Sequence, residues 1–218
     1  MLAPDMALYR SIPTLSEEIR AWREGHRVVA GVDEVGRGPI AGPVVAAAVV
    51  LDPERAREWW SDLRDSKQLS PSQRERLAAL IRDECAWAVG VASHDEVDAA
   101  GIVEATRRAM RRALATLPLA PSFVITDALP LPETGLPQRP LTHGDALSLS
   151  VAAASIVAKA HRDRLMCESH AAWPAYGFER NKGYGTVEHL RALAEHGVCP
   201  IHRRSFAPVA ARLEGAWG

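Results

Sequence analysis

Residues 28–51, VVAGVDEVGRGPIAGPVVAAAVVL, decide how the chain is organised. A continuous apolar run from Val28 to Val32 ends in two adjacent carboxylates, Asp33 and Glu34. Gly36-Arg37-Gly38 and Pro39 follow, and a second apolar run extends from Val44 to Leu51. Valine-rich runs of this length, bounded by Gly and Pro, predict two buried strands joined by a turn. Carboxylates placed where a buried strand surfaces are costly to keep charged without a cation or donor beside them. Glycines let backbone N–H groups approach a ligand, and the Arg37 guanidinium is a fork shaped for phosphate. Acids for a metal beside donors for an anion suit metal-assisted chemistry on a phosphodiester. Neighbours on a strand point to opposite faces, so Asp33 and Glu34 share a site only if the strand bends or ends there.

Working outward, residues 1–13 read as a loose leader, and Thr14 with Glu17 has capping-box spacing for a short helix to about Gly25. Residues 1–27 therefore form a leader and helix ahead of a main domain, residues 28–218. Ser70-Pro71 with Gln73 starts a helix that runs to about Cys85. Trp87–Ala92 is a third strand, and Ser93 with Glu96 opens a helical region interrupted near Gly101. From Ile102 to Leu117 apolar residues recur with a helical period, opposite Arg107, Arg108, Arg111 and Arg112, which read as a solvated face. Ser122–Thr126 is a β-branched and aromatic strand ending at Asp127, followed by a proline-punctuated loop, a brief strand near Leu141 and Gly144-Asp145. The small residues from Leu147 to about Cys167 predict a helix packed closely on a sheet. Thr186 caps a last clear helix that stops at Gly197. The fold class is α/β, a mixed sheet flanked by helices.

Composition narrows the function by exclusion. The 218 residues are 47% hydrophobic and 24% charged, with a formal net charge of −1, so nucleic-acid binding would rest on local patches rather than a basic surface. Three scattered cysteines with no CxxC pair fit neither a disulfide framework nor a zinc site and suit a reducing compartment. No signal-peptide pattern and no apolar run near the ~20 residues of a membrane span are present, so the expectation is cytoplasmic with no membrane association.

The 28–51 segment closely resembles the first motif of the type 2 ribonucleases H, the ribonuclease HII family. Asp65-Ser66-Lys67-Gln68-Leu69-Ser70, SFVITD ending at Asp127, Asp145 in THGDALSLS, AAASIVAKAHRDRL at 152–165 and NKGYGT at 181–186 follow in the family's order. The resemblance covers roughly residues 28–210. It implies the ribonuclease H fold, a five-stranded mixed sheet between helices with a helical C-terminal part. It also implies catalytic and metal-binding acids at Asp33, Glu34, Asp127 and Asp145, holding two Mg²⁺ or Mn²⁺ ions. Substrate contacts fall on Gly36, Arg37, Gly38, Ser66, Lys67 and Tyr184, with Tyr184 sensing the 2′-hydroxyl at an RNA-to-DNA junction. The partners implied are RNA–DNA hybrids and duplex DNA carrying ribonucleotides, acted on by a monomer. The chain departs from the family at His143, where many relatives have lysine, and at Ala128, where glycine usually follows the strand-end aspartate. Relatives often end in a peptide that docks on a replication clamp; none is evident before Gly218, so no such partner is expected.

Each of these residues has a plainer reading. A lone Asp145 is as readily a helix cap as a ligand, whereas a cap needs only one acid and Asp33-Glu34 supplies two. Gly36-Arg37-Gly38 is a tight turn whatever else it does, and it lacks the GxGxxG of a dinucleotide site. Lys67 alone could be a solvated lysine, Tyr184 a core tyrosine, and Asp163 a structural partner of Arg162 or Arg164. The rival functions are a nuclease of the same fold acting on DNA alone, and a binding module without turnover.

Overall fold

The computed structural model describes residues 12–215. Five strands form one mixed sheet, β1 (Val29–Val35), β2 (Val44–Val50), β3 (Ala86–Ala92), β4 (Phe123–Asp127) and β5 (Gln138–Leu141), in the order β3-β2-β1-β4-β5. The β1–β2 and β2–β3 pairs are antiparallel, and β4 lies parallel to both β1 and β5. This is the expected mixed sheet, and the strand alternation explains its burial. Val45, Ala47 and Val49 of β2 face a cluster containing Ala152, Ala153, Ile156 and Val157, while Val44, Ala46, Ala48 and Val50 face Ala105, Ala109, Met110 and Ala113. A strand covered on both faces has no polar side to show, which is why VVAAAVV carries no alternation.

The covering helices are α4 (Ile102–Ala115) on one face and α6 (Leu149–Ala172) on the other. Between β2 and α4 come α2 (Pro71–Glu84) and α3 (His94–Ala100), each opened by the predicted capping box, Ser70 with Gln73 and Ser93 with Glu96. A one-turn helix α5 (Gly144–Leu147) leads into α6, which Ser148 caps by accepting the Val151 N–H. The C-terminal part holds α7 (Phe178–Asn181), α8 (Val187–His196), capped by Thr186 and ended by Gly197, and α9 (Ala207–Leu213), which the sequence reading did not anticipate. No helix among the described residues is long and apolar enough to cross a membrane.

The first described helix, α1 (Ser16–Arg23), does not form the expected capping box. Leu15 occupies its N-cap, because the Thr14 backbone is taken up in a bridge to α6: Thr14 N–H donates to the Leu147 carbonyl and Leu149 N–H to that of Thr14. Glu18 is buried and accepts from the Ser148 and Ser150 hydroxyls and from Ser150 N–H, tying α1 to the start of α6.

Small residues bring α6 and the sheet together. A Cβ at Gly31 would collide with the backbone of Ser150 and Val151, and one at Gly90 with the Ala109 carbonyl on the opposite face. Gly31→Ala is accordingly expected to destabilise the fold by about 1–3 kcal/mol through overpacking against rigid backbone. Urea unfolding checks this; an unchanged midpoint and slope would contradict the close approach.

A carboxylate site at the end of two parallel strands

The last paired rung of β1 and β4 places Val32 opposite Thr126. The next residue on each strand is an acid, so parallel pairing delivers Asp33 and Asp127 side by side at the C-terminal strand ends, where sites collect in such sheets. The Oδ1 of Asp127 accepts the Gly144 N–H at 2.8 Å, fixing the loop that carries Asp145 in the first turn of α5. Asp145 is 8% exposed and Asp33 4%. Three of the four predicted acids, Asp33, Asp127 and Asp145, therefore come together.

The strand does not end between Asp33 and Glu34. β1 continues to Val35, with Asp33 opposite Ala47 and Glu34 opposite Ala46, so the two carboxylates leave on opposite faces. Asp33 Oδ1 accepts the Glu34 N–H at 2.7 Å and sits within reach of the Ser155 hydroxyl of α6. Glu34 accepts from Arg37 Nη1 at 3.3 Å through Oε1, while its Oε2 is buried with no hydrogen-bond partner among the described residues. Asp127, at the end of the neighbouring strand β4, raises both carboxyls.

Burial leads the electrostatics, and charge crowding adds to it. Burial, then Glu34, Asp127 and Asp145, hold the Asp33 carboxyl well above its ordinary range. Burial also raises Glu34, opposed by Arg37 and reinforced by Asp127. Asp145 is pushed up to about 6 by burial, Asp65 and Asp127, with Lys67 pulling the other way. Burial lowers the Lys67 ammonium, but Asp65, Asp145, Asp33 and Asp127 outweigh it and keep Lys67 firmly charged. A small cavity of about 60 Å³ opens here, lined by Asp65, Lys67, Asp127, His143 and Asp145 among others. A hollow of about 640 Å³ beside Arg74 and Arg164 is far larger, but its acids, Glu75, Asp163 and Glu179, sit among the cations Arg74, Arg82, Arg164, Arg180 and Lys182.

The donor set suits a hard divalent cation. Among the described residues no three acidic, histidine or cysteine side chains close tightly enough to enclose an ion. Mg²⁺ does not ask for a cage; it keeps several waters and binds through a few carboxylates with substrate phosphate. Crowded acids and an unpartnered Glu34 oxygen present such a shelf.

Across from the acids, the Gly36-Arg37-Gly38 turn is held from beneath by two fully buried arginines. Arg203 donates to the carbonyls of Gly36 (2.6 Å), Arg37 (3.0 Å), Pro39 (2.8 Å) and Gly42 (3.0 Å). Arg162 donates to those of Pro43, Ala41 and Lys182, joining the turn to the 181–186 loop. Gly36 has φ +93°, and a Cβ there would strike the Arg162 side chain. Tyr184 is brought against the turn: a Cβ on Gly38 would lie 3.7 Å from its ring. Ser66 accepts a hydrogen bond from Ser155 at 2.9 Å, beneath Lys67.

The residues missed from sequence are the supports: Arg203, Arg162, Asp65 and Ser155. Asp65 stood in the quoted DSKQLS segment, whereas nothing in the run HRRS around Arg203 marks one arginine as buried. Asp163 pairs with Arg74 and Lys159 rather than with Arg162 or Arg164, because Arg162 is committed to carbonyls. Ala128 and His143, the two departures noted above, both adopt left-handed backbone, with φ of 55° and 59°. Glycine would enter that region without steric cost.

Residues 30–209 match the family model described as Ribonuclease HII. The chain belongs to the ribonuclease HII family. A ribonuclease HII of Desulfitobacterium hafniense is 51% identical over 201 residues, spanning 92% of this chain and 76% of that protein. One from Dehalococcoides mccartyi is 45% identical over 198 residues, spanning 90% and 94%. Among solved structures, ribonuclease H2 from Pyrococcus horikoshii superposes with a TM-score of 0.74 at 29% identity, covering 86% of this chain and 98% of that one. A Bst ribonuclease HIII solved with Mn²⁺ shares the fold, with a TM-score of 0.65 at 20% identity over 99% and 74% of the two chains. Membership makes the chain a metal-dependent ribonuclease H hydrolase, an enzyme of the class that cleaves the RNA strand of RNA–DNA hybrids.

With its carboxyl pushed up to about 6, Asp145 is increasingly protonated below that pH and would be a poorer ligand for a cation. Activity should rise with pH through about 6, and more Mg²⁺ should move that limb to lower pH, since a cation favours the charged carboxylate. pH–rate profiles at two Mg²⁺ concentrations check this; a limb indifferent to Mg²⁺ would contradict it.

Proposed function

We propose that the enzyme cleaves the RNA strand of hybrids and also cuts 5′ of single ribonucleotides embedded in duplex DNA, leaving 5′-phosphate and 3′-hydroxyl ends. The observation that carries this reading is the juxtaposition of Asp33, Glu34, Asp127 and Asp145 with a Gly36-Arg37-Gly38 turn that packs against Tyr184. Two divalent ions, Mg²⁺ or Mn²⁺, held by those acids would activate a water and stabilise the leaving 3′-oxygen.

The chain's own groups do the rest. Arg37, with a side chain 41% exposed, and Lys67, kept charged among acids, offer cations to the phosphates beside the scissile bond. The backbone of Gly36–Gly38 and the Tyr184 ring read the ribose, whose 2′-hydroxyl distinguishes RNA from DNA. Ser66, linked to Ser155, fixes the turn that presents Lys67. Residues 28–218 act as the catalytic unit, with 1–27 as an extension docked through α1. We take the enzyme to be a cytoplasmic monomer. An Archaeoglobus fulgidus ribonuclease HII, 29% identical with a TM-score of 0.67 over 80% of this chain and 91% of that one, was solved as a complex with PCNA. No clamp partner is proposed for this chain.

The test uses a labelled DNA duplex carrying one ribonucleotide, an all-DNA duplex and a long hybrid, each with Mg²⁺, Mn²⁺ or chelator. Metal-dependent cutting 5′ of the ribonucleotide is expected, with no cutting of the all-DNA duplex. Asp127→Asn should lower the rate by at least about a hundredfold, the equivalent of the few kcal/mol a metal site supplies. Normal cleavage by Asp127→Asn, or equal cutting of all-DNA duplex, would overturn the assignment.

A further inference from the structure

Tyr184 is 45% exposed, so packing does not hold its ring in place. Its backbone is held instead. Three successive carbonyls of the loop each accept a hydrogen bond from elsewhere: Lys182 from Arg162, Gly183 from Ile40 N–H, and Tyr184 from His189 Nδ1 at 2.8 Å, beside the local bond that Thr186 N–H donates to it at 2.8 Å. Behind His189 lies a second imidazole, with His189 Nε2 and His202 Nε2 3.1 Å apart, and His202 Nδ1 lies 3.0 Å from Cys199 N–H. Both rings are buried, walled by Tyr176 and Phe178.

The proton positions follow from the two ends. The Tyr184 carbonyl can only accept, so His189 Nδ1 carries a proton and its Nε2 in a neutral ring presents a lone pair. His202 Nε2 must then donate across to it, which leaves His202 Nδ1 as the acceptor that Cys199 N–H needs. One arrangement of two neutral rings satisfies every partner. A further proton on His189 would set N–H against N–H, and one on His202 would deprive the Cys199 amide of its acceptor and leave Nδ1 only the Cys199 carbonyl at 3.3 Å, which already accepts the His202 N–H. Burial lowers both rings, His189 despite its bond to Tyr184 and His202 to about 4, with the neighbouring His189 and the more distant His94 adding to the effect on His202. Tyr176, Cys199 and His196 are the other titratable groups around the pair.

We propose that His189 and His202 are positioning residues for substrate selection: a neutral two-imidazole relay, anchored on the Cys199 amide, fixes the Tyr184 carbonyl and so sets the ring against Gly38. This rests on the reading of Tyr184 as the ribose sensor. The relay explains why histidines sit in an apolar cluster that Leu or Phe would fill equally well. Only an imidazole donates at one edge and accepts at the other across such a span.

A double-mutant cycle tests it, with kcat/KM on the single-ribonucleotide duplex and its ratio to a long hybrid as readouts. Circular dichroism and calorimetric Mg²⁺ binding report fold and metal site separately. Tyr184→Ala should lower the ratio. His189→Leu should lower it by roughly tenfold, the order by which displacement of a positioning group is felt, leaving Mg²⁺ binding unchanged. In the Tyr184→Ala background His189→Leu should have no further effect. Should His189→Leu fail to fold, His189→Asn, which keeps an N–H near the Nδ1 position, should hold the ratio, and His189→Gln, which moves it away, should lower it. An unchanged ratio in Tyr184→Ala would sink the reading of Tyr184 itself. A lowered ratio in Tyr184→Ala with none in His189→Leu, or additive losses in the double variant, would overturn the relay.

Discussion

The structure depends on a concentration of negative charge where two parallel strands end side by side. Asp33 and Asp127 are neighbours because β1 and β4 run in register, and Asp145 joins them because Asp127 grips the Gly144 amide. Holding these acids together is unfavourable: burial and mutual repulsion push Asp33, Glu34 and Asp145 upward. Folded-state values above ordinary ones mean that the native state binds more protons than the unfolded chain in that window. Stability from these groups is therefore present at low pH and is lost as pH rises through their folded values. A divalent cation reverses that balance by stabilising the charged forms. The same repulsion that weakens the fold would favour a cation at these acids.

The rest of the molecule braces that site and packs the Gly36-Arg37-Gly38 turn against Tyr184 beside it. The small residues of β1, β2 and α6 let helix and sheet approach closely enough to bury Asp33 beside Ser155. Arg203 makes four bonds and Arg162 two to backbone carbonyls of the 36–43 turn, satisfying groups that would otherwise be buried unpaired. Glu18 and Thr14 fasten α1 to the start of α6, immediately after the turn that holds Asp145.

Much of this was legible in the residues, and the gaps have physical causes. The apolar run before Asp33 and the strand before Asp127 announced where the acids would surface, and both capping boxes at Ser70 and Ser93 were readable because they are local. Thr14 misled, since its backbone is claimed by a partner 134 residues away in the chain, at Ser148. The Asp33–Glu34 pair was expected to need the strand to bend or end; instead its pairing with β2 continues through Val35. Arg203 and the two relay histidines look like ordinary polar residues in sequence, because their significance lies wholly in long-range carbonyl and imidazole contacts. Asp163 was assigned to Arg162 or Arg164, whereas its partners are Lys159, one turn earlier on the same helix, and Arg74 of α2.

The most direct test of the account is a carboxyl-resolved ¹³C NMR titration of Asp33 in chelator and then in saturating Mg²⁺. The account predicts that Asp33 titrates well above the ordinary aspartate range in chelator and falls when Mg²⁺ is added. An Asp33 that titrates at its usual value and ignores Mg²⁺ would contradict the claim that charge crowding builds the metal site.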